Sequence, residues 1–269
     1  MVFSDDRQWA EHLGAFVRRG LEKGEQVLYF ADTTAPERVL RALTDAGIDA
    51  EGAVTRGQLS VSAAAQTYLA GSGFDPDEMI GLWFDAVRAA SASGYRGLRA
   101  IGEMSWGARD IPGADRLLEY ELRMHEEVSA RLPLTAWCFY DRRLMRDEYV
   151  GVLASAHLTH RGEPHPGPAL RVAPLVGRPG LQMSGSAGYD TRDAVAAAAA
   201  AVSGAADPRT ELDLAALRHI DAASLALLAD AAAGRSGGPP LKVRQAPSPV
   251  RRLLQLFPEL DSVVEVVDR

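Results

Sequence analysis

The chain has 269 residues, 47% hydrophobic and 24% charged, with a formal net charge of -7 and a single cysteine. That balance describes a packed globular protein and argues against a nucleic-acid or anionic-membrane footprint and against a disulfide framework. The length favours two domains, and no run reaches the ~18 apolar residues a spanning helix needs. The opening "MVFSDDRQWAEHLG" has neither the basic nor the apolar region of a secretory signal, so a cytoplasmic location is expected.

In chain order, Trp9, Leu13, Phe16, Val17 and Leu21 recur at helical spacing over residues 5–23, and Gly24 ends that helix. "QVLYFAD" reads as a buried strand, "APERVLRALTDAGID" as a helix opened by Pro36 and closed by Gly47, and "GQLSVSA" as a strand. Then follow the helix "DPDEMIGLWFDAVRAASASG", the strand "RGLRAIGE", the helix "ADRLLEYELRMHEEVSARL" and the strand "LTAWCFYD". Strands alternating with helices of this length require crossover connections, hence an α/β domain with a parallel sheet covered on both faces, over about residues 1–160.

"HRGEPHPGPA" (160–169) lacks an apolar period and is rich in Pro and Gly, so residues 161–169 read as a linker. A second, smaller α/β pattern occupies 170–269: strands in "LRVAPLV" and "GLQMSG", the helix "TRDAVAAAAAAV", the strand "TELDLAAL", and the helix "DAASLALLADAAAG". The strand "LKVRQA", the helix "SPVRRLLQLF" and the strand "SVVEVV" close it.

Three expected parallel strands end in an acid, Asp32, Glu103 and Asp141. Ligands of open parallel sheets sit beyond the carboxyl ends of the strands. Carboxylates there could hold a cation, cap helices, or pair with Arg99, Arg142 or Arg143. The segment "RRGLEKGEQVLYFADTTAPERVLRALTDAGID" is similar to part of RecA-type ATPases, yet no G-x-x-x-x-G-K-[ST] loop exists to hold nucleotide phosphates.

The separated motifs "FVRRGLEKGEQVLYFAD", "FDPDEMIGLWFDAV", "GYRGLRAIGEMSW", "LLEYE" and "WCFYDRR" resemble the MEDS sensory domain in the right order. The resemblance implies a RecA-like sheet without a phosphate loop, serving as the input module of a bacterial regulator; it does not fix the ligand, for which small organic effectors have been proposed in the family. On that pattern Asp32, Glu103, Trp106, Tyr120, Glu121, Cys138, Tyr140 and Asp141 line the input pocket. Taken singly, Cys138 suits a small buried hydrophobe, Trp106 and Tyr140 suit core aromatics, and Glu121 suits a solvated helix face. Glu103 is the least ordinary, because a carboxylate closing a buried strand needs a partner. The family pattern also has a histidine before the aromatic that Phe3 matches. Here the chain begins at Met1, so either the first strand is shortened or the start lies upstream.

The segments "ELDLAALRHIDAASLALLADAAAG" and "LKVRQAPSPVRRLLQLFPELD" resemble the STAS family of anti-sigma-factor antagonists. Phosphorylatable members carry an aspartate followed by two small residues, the second being the acceptor. Carried over, the aspartate is Asp221 and the acceptor position is Ala223, which cannot take a phosphate. Ser224 follows one residue later, a turn of about 100° away. It reads either as a displaced acceptor or as a first-turn residue of a helix capped by Asp221. A docking surface over Asp221, Ala223, Ser224 and Leu225 is implied, with an anti-sigma factor or serine-kinase-type protein as partner.

His157, His160 and His165 lack the usual metal spacing, no nucleophile elbow is present, and neither a cofactor nor a resident metal is expected. The chain thus reads as a non-enzymatic signalling protein, sensory input joined to protein-docking output. The rival is a nucleotide- or small-molecule-processing enzyme using the acids at the sheet edge.

Overall fold

Strand residues that are buried on both pleat faces need helices above and below, and the sequence supplies them. The computed structural model describes residues 1–71, 73–165, 167–235 and 239–268. The chain runs β1 (Val2–Phe3), α1 (Asp6–Glu22), β2 (Gln26–Ala31), α2 (Pro36–Asp45), α3 (Ala50–Thr55), β3 (Leu59–Ala63) and α4 (Pro76–Ala92). It continues through β4 (Leu98–Glu103), α5 (Leu117–Arg123), β5 (Leu134–Asp141) and α6 (Asp147–Ser155). The remainder is β6 (Leu170–Pro174), β7 (Gly180–Ala187), α7 (Arg192–Ser203), β8 (Glu211–Ile220), α8 (Ala222–Ala233), β9 (Leu241–Arg244), α9 (Ser248–Leu256) and β10 (Val264–Val267).

Packing divides the chain into two units that do not follow it linearly. One comprises Met1–Asp115, Val128–Val150 and His160–His165; the other comprises Arg116–Glu127, Gly151–Thr159 and Pro166–Arg269.

The first unit holds a five-stranded, all-parallel sheet of order β1-β5-β4-β2-β3. Adjacent residues of β2 show why both faces are covered. Tyr29 points to one side, where its hydroxyl meets the indole of Trp9 on α1, and Phe30 points to the other, edge-on to Trp83 of α4. The Tyr29 face carries the larger core, built from Leu13, Phe16, Val17, Val39, Leu43 and Ile101 among others. The helix starts are capped: Asp5 accepts the Gln8 N–H, Asp75 accepts from the N–H groups of Asp77 and Glu78, and Pro36, as expected, and Pro76 open α2 and α4.

The structure departs from the expected elements in three places. Residues 36–55 form two helices, because Gly47 turns the chain at φ +72° and Asp49 then caps α3 through the Gly52 N–H. The long helix expected over 114–132 holds α-geometry only at 117–123, and Met124–Ser129 is a wider π-type turn. A helix over 147–155, α6, was not expected at all.

The second unit carries a five-stranded sheet of order β10-β9-β8-β7-β6, parallel except for the β6–β7 hairpin. Its core includes Val195, Ala198, Leu212, Leu214, Leu228 and Val250. The alanine run in α7 lets neighbours approach closely, and both α8 and α5 pack against it. The face of α5 is charged: Arg123, 8% exposed, donates to Glu119 at 3.1 Å and to Glu127 at 2.7 Å.

Within the stretch read as a linker, residues 161–163 are pinned to β1. The Val2 N–H donates to Arg161 O at 3.0 Å and the Glu163 N–H to Val2 O at 2.9 Å. The Glu163 carboxylate accepts from Ser4, Gln8 and Arg142. Pro166 of that stretch lies outside the described residues. Gly162 sits at φ +85°, where a Cβ would overlap the carbonyl oxygen of Val2. Gly162→Ala is therefore expected to destabilise the first unit by about 1–3 kcal/mol. Urea unfolding, together with faster amide exchange at Val2 and Glu163, would check it.

Candidate functional site

The chain turns back across the first sheet between β2 and β4. From β2 it moves outward to β3, then returns to β4 on the other side, opening a crevice at the carboxyl ends of these strands. Glu103, the last residue of β4 and only 4% exposed, closes that crevice. Its Oε2 accepts three consecutive backbone N–H groups from the loop after β2: Asp32 at 2.8 Å, Thr33 at 3.0 Å and Thr34 at 3.1 Å. Its Oε1 accepts the Tyr29 hydroxyl at 2.6 Å, and the Tyr29 hydroxyl oxygen accepts the Trp9 indole N–H at 3.0 Å. Burial and the adjacent Glu103 charge push the Tyr29 phenol well above its usual pKa, which keeps it a donor.

Successive backbone N–H groups converging on one point form an anion nest. In nucleotide-binding relatives of this architecture such nests hold phosphate. Here a carboxylate of the chain itself occupies the nest. Asp32, beside it, accepts from the Ser105 hydroxyl at 2.8 Å and pairs with Arg109. Burial raises the Asp32 pKa, and the bonds from Ser105 and Arg109 only partly oppose that rise.

Next to the filled nest lies a cleft of about 340 Å³. Phe3, Trp9 and Phe139 give it aromatic walls, and Asp6, Arg38, Glu103, Asp141 and Arg143 supply charge. Asp141 receives Arg143 in a fork, with Nε at 2.9 and 3.1 Å and Nη2 at 2.6 Å. Asp6 spans two arginines, Arg38 at 2.5 Å and Arg143 at 2.9 Å, and these bonds hold its carboxyl below the ordinary range. Arg38 lies over the Trp9 ring and Arg143 over the Phe3 ring, at 5.6 and 5.9 Å.

Of the eight residues expected to line an input pocket, Glu103 and Asp141 line this cleft, and Asp32 adjoins it through Ser105. The pleat sends Cys138 and Tyr140 to the face of β5 opposite Phe139 and Asp141. Trp106 is fully buried and packs on Phe74 and Tyr68. Tyr120 and Glu121 lie on α5 in the second unit, where Glu121 meets His157 at 3.5 Å. Of the candidate arginines, Arg143 meets Asp141, Arg142 meets Asp147 and Glu163, and Arg99 meets Glu25 at the far end of β4. Sequence reading missed Asp6, Trp9 and Arg38. They sit on α1 and α2, where each fits an ordinary amphipathic pattern.

In the second unit, Asp221 caps α8, accepting the Ser224 N–H at 2.7 Å and the Arg192 guanidinium at 2.8 Å. Burial works to raise its pKa, but hydrogen bonds from Ser224 and the charge of Arg192 outweigh it, so the value is lowered. Ala222 and Ala223 are exposed, whereas Ser224 is 0% and Leu225 4% exposed. The turn before α7 brings Gly188 close to Asp221 and carries Tyr189, 86% exposed.

These features define a two-unit α/β protein: a parallel sheet whose edge nest is filled by Glu103, and a smaller five-stranded α/β unit. The family model described as "MEDS: MEthanogen/methylotroph, DcmR Sensory domain" matches residues 1–161, and the chain belongs to that family. The model "Mlab, STAS domain" matches residues 174–264, so the pair of domains is the one the motifs resembled. Over 130 residues the chain is 27% identical to the transcriptional repressor DcmR of Methylorubrum extorquens (strain DSM 6343 / CIP 106787 / DM4). That match covers 48% of this chain and 45% of the repressor, about half the length of each. No solved structure matches the chain. No described helix is long and apolar enough to cross a membrane.

Glu103→Gln would place an amide N–H₂ against donors, and is expected to cost about 2–3 kcal/mol of stability, the scale of disrupted charge-assisted bonds. Amide exchange at Asp32, Thr33 and Thr34 would rise with it; unchanged exchange there would contradict the assignment. Asp221, with its lowered folded pKa, contributes stability that is complete above the unfolded carboxylate pKa and is lost as pH falls through the lowered value. Asp221→Asn should flatten that part of the acid-unfolding curve, read by circular dichroism between neutral pH and pH 2.

Proposed function

We propose that this chain is a bacterial signalling protein in which the first sheet receives a small-molecule effector and the second unit docks a partner protein. In this reading the two functions join over residues 161–169; family matches over 1–161 and 174–264 support a join in this region. The observation that carries the sensory reading is the commitment of the acids at the sheet edge. Glu103 accepts four donors, Asp32 is held by Ser105 and Arg109, and Asp141 is held in the Arg143 fork. A general base needs a lone pair within reach of substrate. This arrangement favours recognition over the rival reading of catalysis. The DcmR relative is named as a transcriptional repressor, which fits a regulatory output of the same broad kind.

The output reading rests on the head of α8. Ala223 takes the exposed place where an acceptor hydroxyl is expected, and Ser224 is turned inward. A kinase cannot reach a fully buried hydroxyl without opening the helix, so the domain docks an anti-sigma factor or serine-kinase-type partner without a covalent switch of its own. Ala222, Ala223 and Ala226, exposed together, offer a flat face beside Asp221.

Two measurements test this. Phosphopeptide analysis of the protein from its own host is expected to find the 215–235 peptide unmodified; phosphate on Ser224 would overturn the fixed-surface reading. In titrations of the full chain against an anti-sigma factor from the same host, Ala223→Glu should weaken binding by about tenfold or more, because the added charge meets a docked apolar face. Unchanged affinity would move the docking site elsewhere.

A further inference from the structure

The first-unit cleft contains three carboxylates and two guanidiniums, but they are not equally committed. Both oxygens of Glu103 are taken, Oε1 by the buried Tyr29 hydroxyl and Oε2 by three part-buried backbone N–H groups. Asp141 is held by the Nε and Nη2 edge of Arg143 and by the Arg143 backbone N–H at 2.9 Å. Asp6 is different: its side chain is 57% exposed, and it reaches in from the first turn of α1 to bridge Arg38 Nη2 and Arg143 Nη1. It is the most exposed of the three, against 11% for the Asp141 side chain, so it can swing into solvent at the least cost. Its departure would free two guanidinium edges, each already resting on an aromatic ring. The cleft they edge, with Phe3, Trp9 and Phe139 on its apolar side and Thr33, Thr34 and Ser105 on its polar side, is of the size ordinary small-ligand sites have.

We infer that the cleft binds a small organic carboxylate with an apolar body, whose anionic group displaces Asp6 from Arg38 and Arg143. The body packs among Phe3, Trp9 and Phe139. Guanidinium pairs recognise a carboxylate by charge-assisted bonds, and a cation would find no carboxylate free to receive it. Asp6 thus acts as a built-in competitor that holds the arginines in place when the site is empty. The inference rests on the cleft being the input site, and it names the chemical class of effector.

The test uses the full chain and isothermal titration with benzoate, the neutral benzamide and the cationic benzamidinium. Benzoate should bind, with benzamide about tenfold weaker or worse, as expected when charge-assisted bonds are lost. Asp6→Asn should tighten benzoate about three- to fivefold, the scale of one exposed ion pair removed as competitor. Arg38→Met, at a half-exposed position that leaves the Arg143–Asp141 fork intact, should weaken benzoate about tenfold. Preference for benzamidinium, no benzoate binding to the folded protein, or an Asp6→Asn variant with unchanged or weaker affinity would each overturn the inference. Benzoate binding in the expected pattern that leaves partner affinity untouched would instead overturn the sensory role and keep the anion site.

Discussion

One buried carboxylate holds the first sheet's functional edge together. Glu103 ends β4, but its oxygens are satisfied by the loop after β2 and by Tyr29, so two strands and the entry to α2 are tied at one point. The Trp9 indole extends the chain of bonds to α1. A charge buried without such partners would cost several kcal/mol, so the loop conformation and the ionised side chain require each other. The same arrangement decides what the site can bind. With the nest filled from within, the donors of the loop after β2 are taken, and the guanidiniums of Arg38 and Arg143 lie in the neighbouring cleft.

The parallel first sheet, the smaller second α/β pattern and some helix starts were legible because they depend on local chemistry. Period-2 and period-3.6 patterns, Asp221 at a helix start and Pro36 in a first turn all act within a few residues. The importance of Glu103 was also legible, since a carboxylate at the end of an apolar strand must find a partner. Its partners were not, because backbone N–H groups carry no residue signature. The grouping of Cys138 and Tyr140 with Asp141 shows the same limit from another side. Neighbours in sequence on a strand face opposite ways, and only the register tells which face holds the cleft. Asp6 and Arg38 went unnoticed because a charged residue in a helix's first turn or on its surface is the commonest pattern there is.

At the head of α8, geometry turns a one-residue shift into a qualitative difference. Asp221 fixes the helical phase through its bond to the Ser224 N–H, and this bond leaves position 223 facing outward and 224 facing the core. Sliding the hydroxyl back by one residue would expose it, but no rotamer of Ser224 can do the same.

The placement of α5 bears on how the molecule is made. This helix is encoded before β5, but it packs on α7, some seventy residues further along the chain, within one compact unit. On a ribosome, its buried Arg123 and acidic neighbours must wait, solvated and unpaired with α7, until the alanine-rich segment emerges. Long-range closure of this kind slows folding and leaves a nascent intermediate that is vulnerable to aggregation. It also means that cutting the gene at residues 161–169 would give a C-terminal fragment lacking a helix its own core uses, so such a fragment is the wrong reagent for studying the docking half by itself.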